Sequence, residues 1–312
     1  MLVIYLELIL MVLVWSFSFI IVDISVDFIP PLAIALYRFI IVSIIFIMID
    51  IYKKIKNYRR SSENIEDAIN SQFSKNEWIL IFLASFTGIS LFFFAQYSSI
   101  ELIGPSLPAL FVCLLAPVII ALLALAFFKE KLNILKILGF IIATVGGFLL
   151  ITGGNLHSLS PKSQNFLGYL FALITPLLWA IYSTSTKKIT KSSSSSSIIM
   201  NKYIAYFGTI ELIIFLMLSG KLLIFIINFL NILLFLCALY LGLGCYILGY
   251  YIWQNSQKLL KSSIVASFLY IEPFLTLLFS FLFQRSETIL LWNVIGGIIV
   301  LIAVLIISHE ET

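Results

Sequence analysis

The sequence predicts an all-α integral membrane protein of ten transmembrane helices, arranged as two five-helix repeats of inverted topology. Three observations lead there. Of 312 residues, 62% are hydrophobic and only 11% charged, against roughly 45–50% and about 25% in a soluble domain. Apolar runs of membrane length recur along the chain, and basic residues gather in every second connection between them. With a mean hydropathy of +1.13, a soluble fold of this size has too little interior to hide its apolar surface. The composition excludes a cytosolic enzyme, a nucleic-acid binder and a disordered chain, and makes the lipid bilayer the expected solvent.

A helix needs about 20 apolar residues to cross the hydrocarbon core. Broken at charge, Pro and Gly/Ser punctuation, the runs fall at 2–22, 30–51, 78–97, 104–128, 134–152, 166–186, 198–219, 229–252, 262–283 and 289–308. The first lacks a basic leader and a small-residue cleavage site, and Trp15 interrupts it, so it reads as a retained helix. The 52–77 connection carries both signs of charge and reads as solvated. The run Ser192–Ser197 is low in complexity and reads as a linker. Little chain is left for a soluble domain.

The basic residues set the orientation. With the N-terminus in the cytoplasm, the even-numbered connections hold Lys53, Lys54, Lys56, Arg59, Arg60 and Lys75, then Lys129, Lys131 and Lys136. They also hold Lys187, Lys188, Lys191 and Lys202, then Lys258 and Lys261. The odd-numbered ones hold only Lys162, Lys221 and Arg285. This asymmetry places both termini in the cytoplasm of a multi-pass plasma-membrane protein. The net charge of +4 is too mild to call for a polyanionic partner. Cys113, Cys237 and Cys245 lie in apolar runs without metal spacing and read as small buried hydrophobes. No disulfide, metal or cofactor is expected.

An internal repeat underlies the two halves, 1–152 and 153–312. Residues 106–151 align with 262–307, setting Pro117 on Pro273 and Gly139 beside Gly296, with Glu130 and Glu287 in matching polar breaks. Tyr97 and Trp253 each precede their proline by 20 residues, and one offset of 164 takes Trp15 to Trp179 and Arg38 to Lys202. Five helices per half is an odd number, so the second half enters the membrane from the opposite side. Inverted repeats are a mark of secondary transporters, because two such halves can exchange conformations around one central site.

These motifs also carry a family resemblance. WSFSF in the first helix, YRF at 37–39, LLAPVIIALLALAFFKEKL at 114–132, GYLFALITPLLWAIYSTSTKK at 168–188 and IEPFLTLLFSFLF at 271–283 together resemble the drug/metabolite transporter superfamily. Within it, the ten-helix EamA-type branch is the most similar. The resemblance covers nearly the whole chain. It implies a helical bundle with a central cavity and export of amino acids or other small metabolites. The sequence departs from the family pattern at QRSE, 284–287, and in the long 52–77 connection.

Charge inside the hydrocarbon is costly and marks function by default. Arg38, Glu211 and Glu272 lie about nine to thirteen residues from a helix end, near the midplane. They make either a structural ion pair or a solute site. Two acids against one Arg leave one acid to carry a proton, provided all three share a cavity, so Glu272 and Glu211 are the proton-coupling candidates. Pro273, Pro117 and Pro176 would each remove a helical hydrogen bond and free the carbonyls of Leu269, Cys113 and Ala172. They are either packing kinks or exposed acceptors. Trp15, Trp179, Tyr182 and Tyr270 have rings with polar tips suited to a solute pocket, or to an interfacial belt. Gln96 is either a solute contact or one end of an interhelical hydrogen bond. The sequence lacks HExxH, GxSxG and GxxxxGK[ST], so neither hydrolase nor ATPase chemistry is expected. A secondary carrier of small solutes by alternating access, as a monomer or weak homodimer, is the expectation. A non-transporting scaffold or assembly factor is the alternative.

Overall fold

The computed structural model describes residues 2–59, 73–129, 133–152, 166–192, 197–285 and 291–308. Glu130, Glu287, His157, residues 60–72 of the 52–77 connection and the interior of the serine run lie outside the described residues. Among those described, every regular element is a helix.

The helices are α1 (Leu2–Val26), α2 (Pro31–Arg59), α3 (Lys75–Ile103), α4 (Ser106–Phe128), α5 (Ile134–Thr152), α6 (Phe166–Ser192), α7 (Ser197–Leu218), the short α8 (Leu222–Asn228), α9 (Ile232–Leu259), α10 (Ser262–Leu282) and α11 (Leu291–Ser308). All but α5, α8 and α11 are long and apolar enough to cross a bilayer, which makes eight. The apolar stretches of α5 and α11, Ile134–Leu149 and Val294–Ile307, are shorter.

Local chemistry explains where the helices start and stop. At the start of α3, Ser74 and Glu77 form a reciprocal cap, with the Ser74 N–H donating to Glu77 Oε2 at 2.7 Å. The Asn231 side chain accepts from the N–H groups of Leu233 and Leu234 and starts α9. Gly104, at φ 77°, supplies the left-handed turn between α3 and α4. Three helices leave α geometry within the bundle. Phe86–Ser90 in α3 and Leu241–Tyr250 in α9 are π-helical, a feature that often marks functional sites. In α10, Phe268–Ile271 is a 3₁₀ turn.

Helices of the first half pack on those of the second. α1 lies against α9 and α10, α6 against α3 and α4, and α2 against α7, while α5 packs along α11. Gly139 lets Ile307 approach, and Gly146 lets Ile299 and the Gly296 carbonyl approach. The faces turned outward carry bare Leu, Ile and Phe, as lipid requires. One apolar core joins α1–α4 and α6–α10; a smaller one joins α4, α5, α10 and α11.

Candidate functional site

A cavity of about 50 Å³ lies within the larger core. Its wall comes from seven of the long helices: Trp15, Ser18 and Phe19 on α1, Arg38 on α2, Phe92, Phe93 and Gln96 on α3, Val112 and Cys113 on α4, Trp179 on α6, Cys245 and Tyr250 on α9, Leu269 (in the 3₁₀ turn) and Glu272 on α10. Five sequence-predicted residues meet there: Trp15, Arg38, Gln96, Trp179 and Glu272.

Arg38 is 2% exposed. Its Nη1 donates to the Tyr97 hydroxyl at 2.6 Å, and its guanidinium carbon sits 4.3 Å from the centre of the Phe93 ring, a favourable place for a desolvated cation. Among the described residues Nε and Nη2 have no hydrogen-bond partner. These two N–H groups form one planar edge of the guanidinium, the fork that grips a carboxylate with two parallel hydrogen bonds. Among the described residues no carboxylate oxygen lies within 4.0 Å of Arg38. Of the two alternatives, the Arg38–Glu ion pair is therefore not formed, and a phenol takes its place.

Glu272 is also buried, and the Cys113 thiol donates to its Oε2 at 3.4 Å. Pro273 follows it at the start of the α-helical part of α10. The carbonyl of Leu269 is not free, as the proline alone would leave it. The 3₁₀ turn lets the Glu272 N–H reach it. Pro117 and Pro176 lie inside α4 and α6, which continue through them.

Aromatic rings close one side. Trp15 meets Trp179 edge-on at 5.4 Å and donates through Nε1 to the Cys245 carbonyl at 2.9 Å. Gly249 leaves room for the Trp15 indole. The Trp179 Nε1 is buried without a hydrogen-bond partner among the described residues. Unsatisfied donors on a cavity wall, with Arg38 among them, make the site a receptor for acceptor groups.

The remaining candidates lie elsewhere. Tyr182 stacks on Trp179 at 5.0 Å, behind the wall, and accepts from Gln254 Nε2 at 2.8 Å. Tyr270 turns away into the smaller core beside Phe140, its hydroxyl donating to the Leu114 carbonyl at 3.4 Å. Glu211 sits between α7 and α3, bonded to Ser85 and Ser90, so the three charged groups do not share one cavity. Sequence reasoning missed Phe92, Phe93, Cys113 and Tyr250 on the wall. It placed Tyr97 at a helix end, but α3 runs on to Ile103 and buries Tyr97 beside Arg38.

A bundle of membrane-length apolar helices around a buried polar cavity defines a multi-pass membrane protein with a place to hold a small solute. The EamA-like transporter family model matches residues 2–152 and 166–309, and the chain belongs to that family, a branch of the drug/metabolite transporter superfamily. It is similar to an uncharacterized transporter of Archaeoglobus fulgidus, 24% identical over 312 residues and 98% of each chain. It is also similar to the uncharacterized transporter YyaM of Bacillus subtilis, 23% identical over 91% of this chain and 86% of that one. A solved crystal structure shares the fold with a TM-score of 0.67 at 16% identity, covering 96% of this chain and 94% of that one.

Proposed function

We propose that this transporter moves small carboxylate-bearing metabolites, amino acids first among them, across the plasma membrane. The observation that carries the reading is the unpartnered Nε–Nη2 fork of Arg38, buried on the cavity wall. Glu272 in the same wall offers a counter-charge for an ammonium group or a place for a coupling proton. Trp15, Trp179 and Phe92 supply apolar flanks. The direction is export, as the family resemblance implies.

The mechanism is alternating access between two halves, 1–152 and 153–312, with ten crossings and both termini in the cytoplasm. Helix packing supports the repeat. The first helix of each half lies against the third and fourth of the other, second packs on second, and fifth on fifth. The third helix of each half carries the π-helical segment. A cavity of about 50 Å³ holds waters but is far below the ~300–1,000 Å³ of a small-molecule pocket. The cavity is too small for an amino acid as it stands, so the helices part to admit solute.

A thermal-stabilisation screen on purified protein tests the reading. A ligand of the native state at a hundred times its Kd adds about 2.7 kcal/mol. Amino acids and related carboxylates should raise the melting temperature, and their amides or methyl esters should not. Equal stabilisation by acids and esters would rule out Arg38 as the carboxylate receptor.

A further inference from the structure

Glu211 occupies a second polar site, away from the cavity, where α7 crosses the π-helical segment of α3. Three oxygen–oxygen contacts meet there. Ser90 Oγ contacts Glu211 Oε2. Ser85 Oγ lies 2.8 Å from Glu211 Oε1 and also 2.8 Å from the Phe82 carbonyl oxygen. A separate, linear hydrogen bond at each contact takes one hydrogen, and the two serine hydroxyls supply two between them. The carbonyl has none to give. An ionised Glu211 would leave Ser85 to share its one hydrogen between Oε1 and the Phe82 carbonyl; a protonated carboxyl supplies the third hydrogen. One arrangement satisfies all three contacts: Ser90 donates to Oε2, Ser85 donates to Phe82, and the acid donates through Oε1 to Ser85.

We infer that Glu211 is a proton-binding site within the membrane, separate from the solute cavity, whose bound proton ties α7 to the π-helical segment of α3. Nothing charged is placed to hold an anion there instead. Among the described residues no Lys, Arg or His nitrogen lies within 4.0 Å of it. The titratable groups on the helices packed against α7 are engaged elsewhere or lie far along the bundle. On α2, Arg38 faces the cavity, Asp50 pairs with Lys202 of α7 at 3.0 Å, and Lys53 and Lys54 are exposed near its end. On α3, Glu77 belongs to the helix cap and Lys75 to the exposed start, while Tyr97 bonds Arg38 and Glu101 is exposed near the end. On α9, Tyr246 and Tyr250 donate to the carbonyls of Asn201 and Gly88, and Lys258 is exposed near the helix end.

The site also bears on the cavity. Ionisation would draw both hydroxyl hydrogens to the carboxylate, taking Ser85 from Phe82 and changing the bonding around Phe86–Ser90. The same helix presents Phe92, Phe93 and Gln96 to the cavity just beyond Ser90. Given the transporter reading above, binding and release of the proton at Glu211 are thereby linked to solute binding.

Infrared spectroscopy of the full chain in lipid vesicles at neutral pH tests the site without reference to transport. A protonated-carboxyl C=O band should be present, vanish in Glu211→Gln and persist in Glu272→Gln. Gln can donate to Ser85 and accept from Ser90, so this variant should fold. Ser90→Ala keeps the acid but removes the hydrogen bond to Oε2, and should move the band to higher frequency. Wild-type and Glu211→Gln spectra that match in this region, or a band that Ser90→Ala leaves in place, overturns the inference whatever solute is carried. In carboxylate counterflow, Glu211→Gln should flatten the pH profile; an unchanged profile would overturn the link to the cavity.

Discussion

At the scale of single residues, the site turns on a cation that is buried but only half satisfied. Truncating one member of a buried ion pair costs about 3–5 kcal/mol, because the other charge is left stranded. Among the described residues Arg38 has no carboxylate partner to strand; it has the Tyr97 hydroxyl and the Phe93 and Phe39 rings. Arg38→Ala should therefore change stability by no more than about 2 kcal/mol, because relief of the desolvated cation offsets removal of its hydrogen bond and its attraction to the rings. Denaturation in detergent checks this, and a loss of 4 kcal/mol would mean a structural pair. Glu272→Gln keeps the shape of the side chain beside Cys113 and should fold while losing gradient-driven uptake. Normal uptake over a broad pH range would make that carboxylate structural. Arg38, Glu272, Gln96, Trp15 and Trp179 were legible in the sequence because polar tips are costly in lipid and seldom placed there idly. Phe93 and Cys113 were not, since on a helix apolar throughout nothing separates a cavity wall from a core. Tyr270 shows the converse: its polar tip marked it, and helix rotation sent it to the smaller core.

At the scale of elements, hydropathy found the helices but cut several short. α2 runs on through Lys53 and Lys54, α3 through Ser98, Ser99 and Glu101, and α9 through Gln254 and Gln257. Those polar residues stay helical because they leave the bilayer or face the protein interior, and an apolar count ends too soon in either case. The π-helical segments had no sequence signal, because they reflect how neighbouring helices fit. One such fit is at Gly249, where an added Cβ would press into the Trp15 indole, with ring carbons at 3.0 and 3.2 Å. That ring is held by Trp179, Tyr250 and Trp253. Gly249→Ala should cost about 1–3 kcal/mol, break the Trp15–Cys245 bond and shift tryptophan emission. Unchanged emission and melting would show that the indole has room to move.

At the scale of the whole molecule, side-chain contacts sort the ends of the bundle as the basic residues do. Lys202 meets Asp50 and Ser192 meets Glu77 at one end. Arg285 meets Asp23 and Asp27 at the turn between α1 and α2, some 19 residues of helix away from Asp50. Cysteine placed at position 60 should resist an impermeant label added to intact cells, and cysteine at 157 should react. Labelling at 60 would reverse the orientation. That the chain folds as a multi-pass helical membrane protein could be read from composition and spacing alone. The cavity could not, since it depends on side chains from both halves meeting across more than a hundred residues. The most direct test of a carboxylate receptor at the centre of a carrier is counterflow of a labelled amino acid into proteoliposomes, comparing wild-type with Arg38→Ala and Arg38→Lys. The wild-type protein should exchange carboxylate solutes, Arg38→Lys should exchange them weakly because a point charge replaces the fork, and Arg38→Ala, though folded, should not exchange them. A folded Arg38→Ala protein that carries every tested carboxylate as fast as wild type would contradict it.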